Sequence, residues 1–235
     1  SLGSEREAAE GVQMGSLEMT VVTTDGTLPN WVPETQVLSM PYLFETKEEA
    51  YYVLDNFLQD EFAPLFEEQG IKHLAFCELG FRHFTTKGQS IRVQEATIWF
   101  ALADALGFIA TPIAFNELYT ALQQGTVDGQ ENPIASIATS AFGEVQKYMC
   151  MDGHTYGAES IIMNLDLYNG MTPEQQAWVD EIPSARPLTL LRPSTCSRLR
   201  TAAPSCARIL TSSPSRMPPL ICTSCLRLLN WSIPL

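Results

Sequence analysis

Positive charge is scarce in most of this chain. Residues 1–182 carry all 27 Asp and Glu of the 235-residue sequence but only seven of its 14 Lys and Arg. The formal net charge of -13 argues against a protein that tracks nucleic-acid phosphates. No apolar run approaches the ~20 residues that cross a bilayer, so we expect no direct membrane insertion. No signal peptide opens the sequence, which indicates a mature, trimmed or incomplete start.

The remaining residues, 183–235, lack a different set of amino acids. They hold seven Arg and eight Pro but no Asp, Glu, Lys, Gly, Val, Phe or Tyr. Natural disordered linkers are usually rich in Glu, Lys, Gln and Gly. We therefore interpret 183–235 as a disordered tail unrelated to the rest of the chain, translated out of frame after about Ile182.

Cysteines and known motifs give no support to a metal or redox site. Cys222 and Cys225 have CxxC spacing, but they have neither a second CxxC nor a nearby His, so chance explains the pair. Cys77 and Cys150 are either two buried thiols or one disulfide. No HExxH, Walker loop or Rossmann glycine fingerprint occurs. We expect neither a cofactor nor a metal.

The predicted elements alternate between strands and helices, which indicates an α/β fold. Capping boxes at Ser4/Glu7 and Thr46/Glu49 mark two helix starts. Helices are predicted at 5–15, 46–70, 97–106, 115–124, 134–142 and 172–182. Strands are predicted at 17–23, 71–76, 81–86, 91–94, 126–127, 145–150 and 155–163.

The stretch from Phe108 to Pro133 is the one around which the chain is organised. An apolar run ends at Pro112, and an amphipathic helix follows and stops at Gly125. Residues 128–133 are predicted to form a polar turn between two apolar segments. Because buried polar side chains need partners, this turn is either a solvated loop or one wall of a polar site.

The few arginines point more directly to a site. Residues 1–182 contain only Arg6, Arg82 and Arg92, and the last two lie in apolar, β-like segments. Unpaired buried charge is costly, so each needs a partner. An internal carboxylate is the simpler partner for a lone Arg. Two arginines this close together also suit a shared anionic ligand, because a guanidinium binds a carboxylate through two parallel hydrogen bonds.

Six motifs occur in one order within residues 1–182. They are GVQMGSLEM, the PYLF of MPYLF, GFRHFT, IRVQE, TPIAFNELYTALQQGTVDGQENP and EVQKY. Together they resemble the extracytoplasmic solute receptors of TRAP transporters, the DctP-like family, which hand small organic acids to a membrane permease. The resemblance implies a periplasmic protein with a two-lobe, periplasmic-binding-protein-like α/β fold and a cleft between the lobes.

The resemblance also divides the chain. Lobe one would comprise residues 1–79 and 159–182, and lobe two, with most of the ligand contacts, residues 80–158. A strand, helix and strand that normally precede Leu17 are missing, as are a polar loop and helical turn before Ile91. We therefore expect an incomplete copy of the fold, and a damaged, non-functional receptor is one alternative reading.

The same resemblance assigns ligand-binding residues. Arg92 of the R-V-Q motif would bind the ligand carboxylate, assisted by Arg82 of the G-x-R motif and Asn132 of Q-E-N-P. Phe115 would pack on the ligand, with ordinary core packing as the alternative. Glu95 matches a position that contacts polar groups of the ligand, with a solvated Glu at a helix start as the alternative. Thr23 and Glu5 match positions that can reach ligand hydroxyls. The solute would be a C4-dicarboxylate or a sugar acid.

A hydrolase or isomerase on an α/β scaffold is the rival interpretation. It would use Cys77 as nucleophile or His83 as base, and a cysteine enzyme would need the thiolate and the imidazole in contact. Nothing in the sequence requires that contact. We expect a binding protein that closes its lobes around a carboxylate and delivers it to the permease.

Overall fold

The structure is a computed structural model and describes residues 3–185. The strands are β1 (Met19–Thr23), β2 (Ile71–Thr86), β3 (Ser90–Val93), β4 (Ile109–Pro112), β5 (Gly129–Pro133) and β6 (Thr155–Asn164). The α-helices are α1 (Glu5–Gln13), α2 (Lys47–Val53), α3 (Gln59–Glu68), α4 (Thr97–Ala105), α5 (Leu118–Gln124), α6 (Ile134–Thr139), α7 (Leu165–Asn169) and α8 (Pro173–Ala185). Short 3₁₀ turns lie at Leu28–Asn30, Pro33–Ser39, Phe115–Glu117 and Phe142–Glu144, and a π turn lies at Leu54–Leu58.

The strands form one mixed sheet in the order β1-β6-β2-β5-β3-β4. The pairs β1–β6, β6–β2 and β2–β5 are antiparallel, whereas β3 runs parallel to β5 and β4. The α/β class predicted from the sequence is confirmed. The long strand β2 holds the sheet together, because it pairs with β6 along most of its length and with β5 through its last five residues.

β2 corrects the prediction of two separate strands at 71–76 and 81–86. It is one strand of 16 residues, and its pairing with β6 shifts register between Glu78 and Gly80. Gly80 has a φ of +106°, a conformation that residues with a Cβ rarely adopt. The glycine therefore lets the strand bend and continue where the sequence predicted a break.

The helix-start predictions hold in different degrees. Ser4 and Glu7 form the complete capping box at α1. At α2 the Thr46 hydroxyl accepts the Glu49 N–H, but the Glu49 carboxylate accepts the N–H of Glu45 instead of that of the cap. The single helix predicted over 46–70 is divided by the π turn into α2 and α3.

Four further predictions differ from the structure. The polar residues 128–133 do not form a turn, because Gly129–Pro133 is the buried strand β5. The two-residue strand at 126–127 is absent, and residues 145–150 contribute one bridge, between Met149 and Thr85. The last helix runs to Ala185, beyond the predicted end at Ile182. The predictions for the rest of the tail, including its cysteines, lie outside the described residues.

Buried apolar side chains form three clusters. The first core packs α1, α2 and α3 on β2 and β6, and its members include Val12, Leu28, Phe66, Ile71 and Ile162. The second core packs α4 against β2 and β3 and includes Phe84, Ile91, Val93 and Trp99. The third core surrounds α5 and includes Leu118, Leu122, Val127 and Phe142. The first core thus lies at the β1-β6-β2 end of the strand order, and the other two cores lie towards the β5-β3-β4 end.

Two smaller findings complete the description. Cys77 and Cys150 are not joined in a disulfide, and both side chains are partly exposed rather than buried. Within residues 3–185, every helix is too short or too polar to cross a membrane.

Candidate functional site

A cavity of about 280 Å³ lies where the first core and the other two cores meet. Its walls include every residue for which ligand binding is predicted: Glu5, Thr23, Arg82, Arg92, Glu95, Phe115 and Asn132. These residues span 128 positions of sequence, so only the fold brings them together. Their shared location is observed, and their contacts with a ligand stay a prediction.

Arg92 is held in place by its neighbours but keeps its charge without an internal counter-ion. It lies on β3, which pairs with β4, and its Nε donates a 2.7 Å hydrogen bond to the Ile113 carbonyl just after β4. Within residues 3–185 no carboxylate forms an ion pair with it. Burial lowers the pKa of Arg92 to about 10, an effect that nearby Glu131 partly offsets. The side chain is therefore still a cation at neutral pH.

Arg82 has its counter-ion inside the protein. It is 1% exposed, and its Nε and Nη2 donate to the two carboxylate oxygens of Glu131, with Nη2 2.9 Å from Oε1. Burial opposes the charge of Arg82, but the charge and hydrogen bonds of Glu131 outweigh it and raise its pKa. The internal ion pair, the simpler of the two alternatives, is what the structure contains for this residue.

Asn132 supports Arg82 from β5. Its Oδ1 accepts a 3.2 Å hydrogen bond from Arg82 Nη2, and its Nδ2 donates to Gln130 Oε1 at 2.6 Å. Both ends of the amide are engaged within the protein. The contacts favour a role in holding the Arg82 guanidinium at the cavity wall.

The ion pair continues into a buried network behind the cavity. His154 Nε2 lies 3.5 Å from Glu131 Oε2, and His154 Nδ1 lies 2.7 Å from Asp152 Oδ2. Burial raises the pKa of Glu131, but Arg82 and His154 together bring it down to about 2. Burial lowers the pKa of His154, and the two carboxylates more than reverse that effect. This network stabilises the ionised form of Glu131, which in turn fixes Arg82.

Glu5 is fixed at the cavity wall by donors from the last residue of β1 and from the loop that follows it. Its Oε2 accepts hydrogen bonds from the Thr23 N–H at 3.1 Å, the Thr23 hydroxyl at 2.8 Å and the Thr27 hydroxyl at 2.7 Å. The Thr23 hydroxyl therefore already donates its hydrogen bond to Glu5. Glu5 itself sits in the first turn of α1, where a carboxylate is favoured by the positive end of the helix.

Glu95 and Arg6 form an ion pair across the cavity. Arg6 Nη1 lies 3.4 Å from Glu95 Oε2, although the two residues are 89 positions apart. Both side chains are more than half exposed, so the pair contributes little stability. Glu95 thus has a protein partner on the other wall of the cavity.

Phe115 is not an ordinary core residue. It is 37% exposed, its ring packs edge-on against Phe142, and its centroid lies 6.0 Å from Arg92 Cζ. Trp99, in contrast, is buried and lies under the Arg82 guanidinium, 5.2 Å from Cζ to the ring centroid. Phe115 is the aromatic face that remains accessible beside the unpaired cation.

Two polar residues of the site escaped the sequence analysis. Glu131 was part of the segment predicted as a turn, and only its pairing across the sheet shows that it neutralises Arg82. Gln94 lines the cavity and its Nε2 is buried without a hydrogen-bond partner among the described residues. It directly follows β3, and its position two residues after Arg92 in the predicted strand 91–94 was the available signal.

The pairing of Cys77 with His83 is not formed. Both lie on β2, six residues apart, which separates their backbones by roughly 20 Å at the usual rise of a strand. Burial, followed by the charge of Glu159, raises the pKa of the Cys77 thiol to about 11. His83 accepts the N–H of Gly153 through Nδ1. The thiol and imidazole therefore do not make a nucleophile and base.

Comparison with known proteins gives a consistent result. The family model described as "Bacterial extracellular solute-binding protein, family 7", DctP, matches residues 1–186. A solute-binding protein of Verminephrobacter eiseniae is 41% identical over 192 residues, which are 77% of this chain and 57% of that protein. The chain therefore spans little more than half the length of this curated relative.

Solved structures agree with the sequence relatives. A TRAP periplasmic solute-binding protein from Sulfitobacter sp. NAS-14.1 with bound β-D-galacturonate superposes with a TM-score of 0.79 and 28% identity, over 89% of this chain and 72% of that one. The sugar acid binding protein DctPAm of Advenella mimigardefordensis, in complex with galactonate, gives a TM-score of 0.79 and 28% identity, over 86% and 68% of the two chains.

The predicted resemblance is thereby confirmed, together with the two-lobe α/β fold of the TRAP periplasmic solute-binding proteins. Since the family model covers 186 of the 235 residues, this chain belongs to family 7 of the bacterial extracellular solute-binding proteins, the DctP family.

Proposed function

We propose that this chain is the solute-binding subunit of a TRAP-type transporter. It captures a small organic carboxylate in the periplasm and delivers it to the permease subunits in the membrane. Family membership supports the transport role, and the solved relatives that hold galacturonate and galactonate support an organic acid as solute. In this proposal the solute leaves the protein chemically unchanged.

The observation that carries the proposal is the unpaired guanidinium of Arg92. It lines the cavity, it is 5% exposed, and its Nε is anchored on a backbone carbonyl. A buried cation without a counter-ion is unfavourable, so a bound carboxylate gains both the Coulomb attraction and charge-assisted hydrogen bonds. Phe115 offers an apolar face beside it for the carbon skeleton of the solute.

The division into lobes belongs to the same proposal. Residues 1–79 with 159–182 would form lobe one and residues 80–158 lobe two. The positions of the three cores support this division, since β2 and β6 are the strands that pass from one side to the other. A solute that contacts Arg92 and the wall of α1 together would hold the lobes closed.

A binding measurement on the full chain tests the function. We expect β-D-galacturonate and galactonate to bind in calorimetry and to raise the melting temperature, whereas neutral D-galactose has no effect. Ligand at 100 times its Kd adds about 2.7 kcal/mol to the free energy of unfolding. Recovery of the acid unchanged after incubation would agree with transport, and its conversion would support the enzyme interpretation.

Removing the charge of Arg92 is the sharper test. We expect Arg92→Met to weaken acid binding by about 100-fold, because a charge-assisted hydrogen bond is worth ~1.5–3 kcal/mol. Arg92→Lys should be intermediate, because an ammonium keeps the charge but not the planar fork. Lys87→Met, which removes an exposed cation outside the cavity, is the matched control. Equal affinity in Arg92→Met, with an unchanged circular dichroism melt, would contradict the proposal.

A further inference from the structure

We propose that the cavity selects a hydroxylated monocarboxylate and rejects dicarboxylates, with Glu5 as the residue that makes the distinction. The inference rests on the proposed function, because it concerns the solute of the same cavity. The sequence left two solute classes open, C4-dicarboxylates and sugar acids, and the inference selects the sugar acids.

The charges of the cavity balance in pairs, with two exceptions. Five charged residues line it: Glu5, Arg6, Arg82, Arg92 and Glu95. Arg6 pairs with Glu95 and also with Glu10, which lies outside the cavity, and Arg82 pairs with Glu131 behind the wall. The unpaired groups are then one cation, Arg92, and one anion, Glu5. A solute with a single carboxylate satisfies the cation, and nothing in the described walls offers a second unpaired cation.

Glu5 cannot easily move away from the solute. Its Oε2 accepts three hydrogen bonds from two neighbouring threonines, Thr23 and Thr27. Those bonds fix the orientation of the carboxylate. Among the described residues, the hydrogen bonds to this carboxylate all fall on Oε2, so Oε1 is left as an acceptor. Thr23 and Thr27 are accordingly positioning residues, and Glu5 is the group that faces the solute.

An ionised carboxylate accepts hydrogen bonds and donates none. A solute hydroxyl can donate to Oε1, whereas a second solute carboxylate would meet a like charge. The surroundings strengthen this repulsion. Glu159, which pairs in register with Thr23, has a raised pKa because it is buried and, secondly, because Glu5 is near it. A further anion at this wall would be crowded with existing carboxylates.

Exchanging Glu5 for its neutral isostere tests the inference. Glu5→Gln keeps an acceptor oxygen for the threonines, removes the charge and adds an N–H₂ that can donate to a second carboxylate. We expect wild-type protein to bind β-D-galacturonate and galactonate at least ~10-fold more tightly than succinate, the scale of one unfavourable charge contact. Glu5→Gln should bind succinate at least ~10-fold more tightly than wild type does and the sugar acids more weakly.

Glu18→Gln is the matched control, because it removes one exposed carboxylate near the same strand but outside the cavity. It should leave the ratio of the sugar-acid and succinate affinities unchanged. Wild-type protein that binds succinate as tightly as the sugar acids would overturn the inference while leaving the proposed function standing. So would an unchanged affinity ratio in Glu5→Gln. Wild-type protein that binds none of the three acids would overturn the proposed function as well.

Discussion

At the scale of single residues, the two buried arginines of the cavity show how the same side chain can be structural or available. Arg82 is neutralised by Glu131 from the adjacent strand, whereas Arg92 is held by a carbonyl, which carries no charge. Breaking a buried ion pair by removing one partner typically costs ~3–5 kcal/mol. A solute that bound Arg82 would have to compete with that pair. Arg92 has no such competitor in the described chain and is the better carboxylate site.

Asp25 gives a pH-dependent prediction at the same scale. It is fully buried behind the cavity, its Oδ2 accepts from the Ser39 hydroxyl, and burial raises its pKa to about 6 despite the charge of Arg82. Its ordinary pKa is 3.8, so the folded protein binds the proton more tightly than the unfolded chain. Protonated Asp25 therefore contributes to the free energy of unfolding. This contribution is complete below pH ~3.8 and is lost as pH rises through ~6.

Asp25→Asn removes that titration and keeps an acceptor oxygen for Ser39. We expect the free energy of unfolding of wild type, minus that of the variant, to fall by about 3 kcal/mol between pH 3 and pH 7, at 1.36 kcal/mol per pKa unit. Denaturant titrations of both proteins across this range measure the difference. A difference that is flat with pH, or that rises, would show that Asp25 is not the titrating group.

At the scale of elements, β5 supplies Asn132 to the cavity wall and places Glu131 behind that wall, against Arg82. All five of its residues are buried, and four of them are Gly, Gln, Glu and Asn rather than the apolar residues typical of a central strand. Its side chains find partners across the sheet, such as Gln130 Nε2, which donates to Thr85 Oγ1 at 2.8 Å. Of the two alternatives for this polar segment, the wall of a polar site is therefore the observed one.

Close approach of β5 to β2 leads to a prediction at Gly129. A Cβ at this position would overlap the Thr85 carbonyl oxygen, so the strands would have to separate. Gly125 serves as the comparison, because it caps α5 with a φ of +73° and has open space around it. We expect Gly125→Ala to cost ~1–2 kcal/mol, the usual cost of the left-handed conformation, and Gly129→Ala to cost clearly more. Chemical denaturation measures both, and a smaller loss for Gly129→Ala would contradict the predicted order.

The elements also show what the sequence could and could not predict. α1 was predicted with its capping residue because the Ser4/Glu7 signal is local. β5 was missed because hydrophobic periodicity is the main signal for a strand, and a strand filled with polar residues lacks it. Its burial depends on partners more than 40 positions away, which no local pattern contains.

The candidate site shows the same difference between what local motifs predict and what only the fold reveals. Arg92 and Phe115 were predicted from motifs, and both line the cavity as expected. Glu131 was not predicted as the partner of Arg82, because the acidic body of the chain offers 27 carboxylates and only the sheet register selects one of them. The sequence thus indicated which residues gather at the site, and the fold was needed to show which of them are already paired.

At the scale of the whole molecule, the walls of the cavity come from both ends of the strand order. Glu5 and Thr23 come from the side of the first core, and Arg92 and Phe115 come from the side of the other two. Within the described residues, the polar contacts across the cavity include the exposed pair Arg6–Glu95, which contributes little stability by itself. A solute that bridges Glu5 and Arg92 would add the stronger link.

Amide hydrogen exchange of the full chain can detect that link. With β-D-galacturonate at 100 times its Kd, we expect exchange to slow by up to ~100-fold in α1 and in β3 alike, because opening of either side requires release of the solute. Arg92→Met at the same ligand concentration, which then only equals its ~100-fold weaker Kd, should show no more than about twofold slowing in either element. Lys87→Met should behave as wild type does. Slowing confined to β3 would show that the solute contacts one side only, and Glu5 would then lose its proposed role.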